Sequence, residues 1–242
     1  VADELILLTF VHSVILSKIR IHYPNSFMLQ NQSHDYHAGR PVLNNGQPLD
    51  KARNAMIMLH GRGAGAYDIL SLSQYLSQER TAFLAPQAAN NTWYPNRFIE
   101  PVETNEPWLS SALSVIESVL KQVADAGIPA ERTLLLGFSQ GACLALEFAA
   151  QHPQRYGGVF ALSGALIENG DQQREYDGSL AGTPVFLGCS DVDFHIPVER
   201  VYRSGEVMKA LGAEVTQRIY PGMGHTVNED EIEWVNEAVK AV

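Results

Sequence analysis

Short apolar runs recur along the chain, each followed by a turn and then by a stretch with helical spacing. Asn54–Leu59 (NAMIML), Thr81–Ala85 (TAFLA), Arg132–Leu136 (RTLLL), Gly158–Leu162 (GVFAL), Pro184–Leu187 (PVFL) and Glu214–Tyr220 (EVTQRIY) predict strands. Unbroken apolar runs of this length suit strands buried on both faces. Between them, helices are predicted over Asp68–Gln78, with Ile69, Leu72 and Leu76 on one face, and over Trp108–Ala126, which Gly127 and Pro129 close. Further helices are predicted over Gln140–His152, Val198–Leu211 and Asn228–Val239. The stretch 28–50 is polar and broken by Gly39, Pro41, Gly46 and Pro48, which predicts short edge strands and turns. Glu168–Gly182 reads as a polar surface loop or short helix. Strands alternating with helices predict an α/β fold over residues 28–242, with a mainly parallel central sheet and helices on both faces. In such sheets, functional groups gather on loops at the carboxyl ends of the strands.

Residues 1–27 fit this pattern poorly. Leu5–Leu16 (LILLTFVHSVIL) is apolar, preceded by Asp3 and Glu4 and followed by Lys18 and Arg20. That charge order is the reverse of a secretory signal, and the run is short for a membrane span of about 20 residues. The expectation is an N-terminal extension outside the fold, with an amphipathic anchor helix as the rival and stable membrane insertion not expected.

Composition narrows the class. Hydrophobic residues at 45% with 18% charged residues are ordinary for a soluble globular chain, and 242 residues suit one domain with a single large core. A formal charge of −10 argues against a nucleic-acid backbone as partner. Cys143 and Cys189 make neither a disulfide framework nor a zinc pattern, so buried thiols are expected, and a reducing, cytoplasmic setting suits them. His34-Asp35-Tyr36-His37 has ligand-type residues, but no further cluster accompanies them, and a solvated loop or strand pair is expected rather than a metal site.

The chemistry centres on Gly137-Phe138-Ser139-Gln140-Gly141, where a predicted strand turns into a predicted helix. The glycines keep side chains out of the crowded positions beside Ser139, so its hydroxyl can project from the sheet edge as a nucleophile. A serine needs a base, and the base needs a carboxylate to hold its tautomer. Ser139 is followed by Asp191 and Asp193 after one strand and by His225 after the next, matching a Ser, Asp, His order. The two aspartates compete for the role of acid, the other being left to cap a turn. Among eight histidines, His225 has the placement of a base. His60 in its glycine loop reads as structural, His152 as a helix-end cap, and His195 as a neighbour of the site. The amide of Gln140 at the helix start is placed to bind an oxyanion, and Arg62 in His60-Gly61-Arg62-Gly63 supplies a second amide. That loop lacks the spacing of either phosphate-binding glycine motif.

These segments, with Ala85-Pro86-Gln87-Ala88, Trp93-Tyr94-Pro95, Asp191-Val192-Asp193-Phe194-His195-Ile196-Pro197 and Gly222-Met223-Gly224-His225, resemble the phospholipase/carboxylesterase family of α/β-hydrolases, which includes the acyl-protein thioesterases. The resemblance spans about residues 54–228. It implies an α/β-hydrolase fold without a large cap domain, Ser139 as nucleophile, His225 as base and Asp193 as acid. It also implies the amides of Arg62 and Gln140 as an oxyanion hole, with Trp93 and Tyr94 near the substrate; core packing explains that pair equally well. Phe194 departs from the family's proline after the acid, and Arg62 stands where the thioesterases commonly have leucine. The implied activity is hydrolysis of short- to medium-chain acyl esters, without metal or cofactor. Lysophospholipids or S-acylated proteins are alternative substrates, and a non-catalytic binding module is a third reading. Small members of this fold can dimerise, and no surface stripe here demands it.

Overall fold

The computed structural model describes residues 35–242 except 171 and 173. Expectations that concern residues 1–27, Met28 and His34 lie outside the described residues.

Seven strands make one sheet: β1 (Val42–Gly46), β2 (Asn54–Leu59), β3 (Thr81–Pro86), β4 (Thr133–Phe138), β5 (Gly158–Leu162), β6 (Pro184–Ser190) and β7 (Glu214–Tyr220). They lie side by side in the order β1-β3-β2-β4-β5-β6-β7. β1 runs antiparallel on β3, and the remaining neighbours are parallel. Every residue of β2 and β3 is buried, as their unbroken apolar sequences require. Successive side chains enter opposite cores. Ile57 and Leu59 belong to the core that one face of the sheet forms with α2 (Trp108–Asp125), α3 (Gln140–Gln151) and α4 (Val198–Ala210). Met56 and Met58 belong to the core on the other face, with α1 (Ala66–Leu70) and α5 (Glu229–Ala241).

Three local expectations need correction. The helix expected over Asp68–Gln78 starts at Ala66, lasts to Leu70 and gives way to a 3₁₀ turn over Ser71–Tyr75. Asp68 is a capping residue rather than the start, because its Oδ2 accepts the Gly65 N–H at 2.7 Å. The serines then draw the backbone off the α path. Ser71 Oγ donates to the Asp68 carbonyl, and buried Ser73 accepts from Asn45 Nδ2. His37 is not solvated. It is buried, and its ring accepts the Ala89 N–H at Nδ1 while Nε2 donates to the Trp93 carbonyl at 2.9 Å. Nor is the 168–182 segment wholly a surface feature. It is irregular, but Arg174 and Tyr176 reach back to a fully buried Glu147 on α3, at 2.6 Å and 2.9 Å. Burial raises the Glu147 carboxyl above its ordinary range, and Arg174 acts against that shift.

Candidate active site

The carboxyl ends of β2, β4, β5, β6 and β7 bring the chemical residues to one edge of the sheet. Ser139 sits between β4 and α3 with φ +54° and ψ −120°, a conformation disfavoured for any residue with a side chain. The flanking glycines make it attainable. A Cβ on Gly137 would lie 2.1 Å from the Gly141 carbonyl oxygen, and one on Gly141 would lie 2.1 Å from the Leu59 carbonyl oxygen. Both obstacles are backbone, so no side-chain rearrangement removes them. The Ser139 N–H donates to Leu162 on β5, and the Ser139 carbonyl accepts from Ala142 and Cys143. The turn is thereby tied to sheet and helix at once.

Ser139 Oγ lies 2.9 Å from His225 Nε2, and His225 Nδ1 lies 2.7 Å from Asp193 Oδ2. Asp193 has no exposed side-chain surface, and its other oxygen accepts the N–H groups of His195 and Ile196 at 2.8 and 3.1 Å. These bonds fix the carboxylate, and Nδ1–H donating to it leaves Nε2 free to accept the serine proton. Asp191 does different work: its Oδ1 accepts the Gly222 N–H at 2.8 Å and closes the loop ahead of His225. The structure thus separates the two competing aspartates by partner.

The oxyanion candidates also converge. Among the described residues, neither the Arg62 nor the Gln140 amide N–H has an internal partner, and both residues line the cleft with Ser139. Gln140 opens α3, where the helix dipole favours negative charge. Its side chain has a role that sequence reasoning missed. Oε1 accepts the Trp93 N–H and Nε2 donates to the Tyr94 carbonyl, so one amide clamps the facing loop. No motif signals such a role, since it depends on a loop 47 residues away meeting the helix start. Ser163 is a second omission. It has φ +51°, and its Oγ donates to the Thr226 carbonyl, joining the end of β5 to the His225 loop. Ser190 Oγ likewise accepts the Gly224 N–H.

Trp93 and Tyr94 part company. Both rings are buried, but Tyr94 is among the residues lining the cleft and Trp93 is not. The Trp93 indole donates to the His60 carbonyl at 2.9 Å, and the ring packs between His60 and His37. Of the two readings for Trp93, core packing is the one its position supports. His60 is buried as well. Its Nε2 accepts the Ala88 N–H and its Nδ1 donates to the Gly61 carbonyl, which braces the Arg62 loop from below. Desolvation lowers both His37 and His60, so each ring is held neutral.

A cleft of about 280 Å³ opens over Ser139. Tyr94, Phe98, Phe138, Cys143 and Ile196 give it an apolar wall, while Arg62, Arg97 and His195 line it with polar groups. The His195 ring packs edge-on against His225, with centroids 4.6 Å apart. Burial pushes the Cys143 and Cys189 thiols up to about 12, so neither is a thiolate nucleophile at neutral pH. Among the described residues no group of histidine, cysteine and carboxylate side chains is arranged to hold a metal ion, and no helix is long and apolar enough to cross a membrane.

A mainly parallel sheet covered on both faces, with a serine on a strained strand-to-helix turn and a histidine and an aspartate on later loops, defines an α/β-hydrolase. The sequence model of the phospholipase/carboxylesterase family matches residues 45–242, and the chain belongs to that family. It is a hydrolase of the ester- and thioester-cleaving kind. A phospholipase/carboxylesterase from Dyadobacter fermentans is similar in structure, with a TM-score of 0.79 and 42% identity over 83% of this chain and 96% of its own. Acyl-protein thioesterase 1 of Saccharomyces cerevisiae is 29% identical over an alignment of 214 positions that covers 79% of this chain and 94% of that protein. Esterase PE8, at 24% identity and a TM-score of 0.68, shares the fold.

Proposed function

We propose that this protein is a serine carboxylesterase acting on short- to medium-chain acyl esters, with Ser139 as nucleophile, His225 as base and Asp193 as its orienting acid. The observation that carries the reading is the continuous line from Ser139 Oγ through His225 to Asp193, at 2.9 and 2.7 Å. Ser139 Oγ attacks the ester carbonyl carbon as its proton passes to His225 Nε2. The carbonyl oxygen becomes an oxyanion, which the Arg62 and Gln140 N–H groups bind. The tetrahedral species collapses, the C–O bond to the alcohol breaks, and His225 returns the proton to the leaving oxygen. Water then enters, loses a proton to His225 and attacks the acyl-serine carbonyl. Collapse of the second tetrahedral species frees the carboxylic acid and restores the Ser139 hydroxyl. Asp193 holds the ring through Nδ1 and stabilises the imidazolium.

The cleft supports a small acyl group, since about 280 Å³ lies at the low end of small-molecule sites. The second reading, a lysophospholipase or acyl-protein thioesterase, has its support in the likeness to yeast acyl-protein thioesterase 1. Hydrolysis of p-nitrophenyl acetate, butyrate and octanoate by the wild type and Ser139→Ala tests the proposal. Acetate or butyrate is expected to lead, and the variant to lose about 10⁴-fold or more in kcat. Equal, slow rates for both proteins rule out Ser139 as nucleophile for these esters, and octanoate in the lead moves the thioesterase and lysophospholipase reading forward.

A further inference from the structure

The cleft over Ser139 carries a charge pattern opposite to that of the chain. The formal charge is −10, yet Arg62 and Arg97 line the cleft and no aspartate or glutamate does. The Asp193 carboxylate is sealed behind His225. The Arg62 guanidinium donates to the Pro95 and Asn96 carbonyls, both at 2.5 Å, and lies 6.0 Å from the Tyr94 ring centroid. Those carbonyls are neutral, so they hold the cation at the mouth without cancelling its charge. Among the described residues, the Arg97 side chain has neither a hydrogen bond nor an ion pair. Arg174, Arg200, Arg203 and Arg218 each have a carboxylate within 4 Å, whereas among the described residues neither Arg62 nor Arg97 has one.

The same two arginines line a second cavity of about 420 Å³ together with Glu100. Glu100 forms no ion pair with either arginine and does not reach the Ser139 cleft. The two cavities therefore share Arg62 and Arg97, and Ser139 lines the first of them. A neutral acyl chain gains nothing from the two guanidinium groups, and a long apolar chain laid across them removes charged groups from water at a cost. An anionic substituent gains charge-assisted, fork-shaped hydrogen bonds. It also needs a local positive patch to approach a chain whose overall field repels it.

We propose that the cleft selects acyl esters bearing a negative charge, on the acyl or the alcohol portion, and that Arg62 and Arg97 recognise that charge. The inference rests on the serine-esterase reading above. Two matched ester pairs test it. Mono-p-nitrophenyl glutarate against p-nitrophenyl butyrate places the charge on the acyl side; 4-butyryloxybenzoate against its methyl ester places it on the alcohol side. After subtraction of uncatalysed hydrolysis, wild-type kcat/KM at low ionic strength should favour the charged member of at least one pair by about 10-fold. Added salt should shrink that ratio. Arg97→Gln should lower it by about 3-fold or more and Arg97→Glu should abolish it. A ratio taken within one variant is insensitive to a general loss of activity or folding. Ratios near one in both pairs, or a ratio that Arg97→Glu leaves unmoved, overturn the inference while leaving Ser139-dependent hydrolysis of the neutral esters intact. If no ester is turned over at all, the esterase reading fails, and calorimetric titration with glutarate decides the charge question. Binding by the wild type and not by Arg97→Glu supports it, and no binding by the wild type overturns it.

Discussion

At the scale of single residues, the site depends on which atom faces which. Asp193 and Asp191 are two positions apart and chemically identical, yet only Asp193 meets His225, while Asp191 holds the Gly222 amide. Asp193→Asn keeps an oxygen for the His195 and Ile196 amides but turns an NH₂ toward His225 Nδ1. The imidazole then loses its acceptor and adopts the wrong tautomer for receiving the Ser139 proton. Ester turnover should fall by about 10⁴-fold with little change in thermal midpoint, whereas Asp191→Asn should stay within about 10-fold of wild type. Steady-state kinetics with p-nitrophenyl butyrate on both variants checks this, and equal losses in the two would refute the assignment. The spacing of the two aspartates left the choice open, because it does not say which way either side chain turns. The bonds of Asp193 to the His195 and Ile196 amides decide that direction.

Helix α5 shows what an element contributes beyond its own spacing. Asn228 accepts the Glu231 N–H at 2.9 Å, and Glu231 Oε2 accepts the Asn228 N–H at 2.9 Å, a capping box directly after the loop that carries His225. The other Glu231 oxygen is buried with no hydrogen-bond partner among the described residues. Desolvation raises this carboxyl to about 7, although the Asn228 bond favours the ionised form. Because the folded state holds the proton more tightly than the unfolded chain, Glu231 costs stability as pH rises from about 4.5 through about 7. Glu231→Gln keeps an acceptor for Asn228 and removes the buried charge. Its stability relative to wild type should improve by up to about 3 kcal/mol between about pH 5 and pH 9. Urea denaturation of both proteins across that range measures it; a difference that does not vary with pH would refute it. Element boundaries were legible where apolar spacing or caps mark them, as with β5 and β7, whose ends coincide with expectation. They were misread at α1, where side-chain hydroxyls compete with the helix for backbone groups.

For the whole molecule, two buried neutral histidines give stability a pH dependence of the opposite sign. His37 and His60 are both lowered by desolvation, so the unfolded chain binds protons that the folded state refuses. Their stabilising contribution is complete above the unfolded value of about 6.5 and is lost progressively as pH falls below it. The thermal midpoint should therefore drop on acidification, with a shallower slope in the double variant His37→Gln, His60→Gln, whatever its midpoint at neutral pH. An unchanged slope in calorimetric scans would contradict this account. Much of this architecture was legible from the chain alone. Six strands, the order of Ser139, an aspartate at 191 or 193 and His225, and the glycines at 137 and 141 follow from local sequence, because burial period and steric limits act over a few residues. The tertiary structure alone decided the burial of His37 and Trp93, the clamp made by the Gln140 side chain, the pairing of Arg174 with Glu147, and the placing of Arg62 and Arg97 on one wall. Each of these depends on contacts between segments far apart in the sequence. No local pattern encodes such contacts, since they exist only once the sheet has brought its carboxyl ends together.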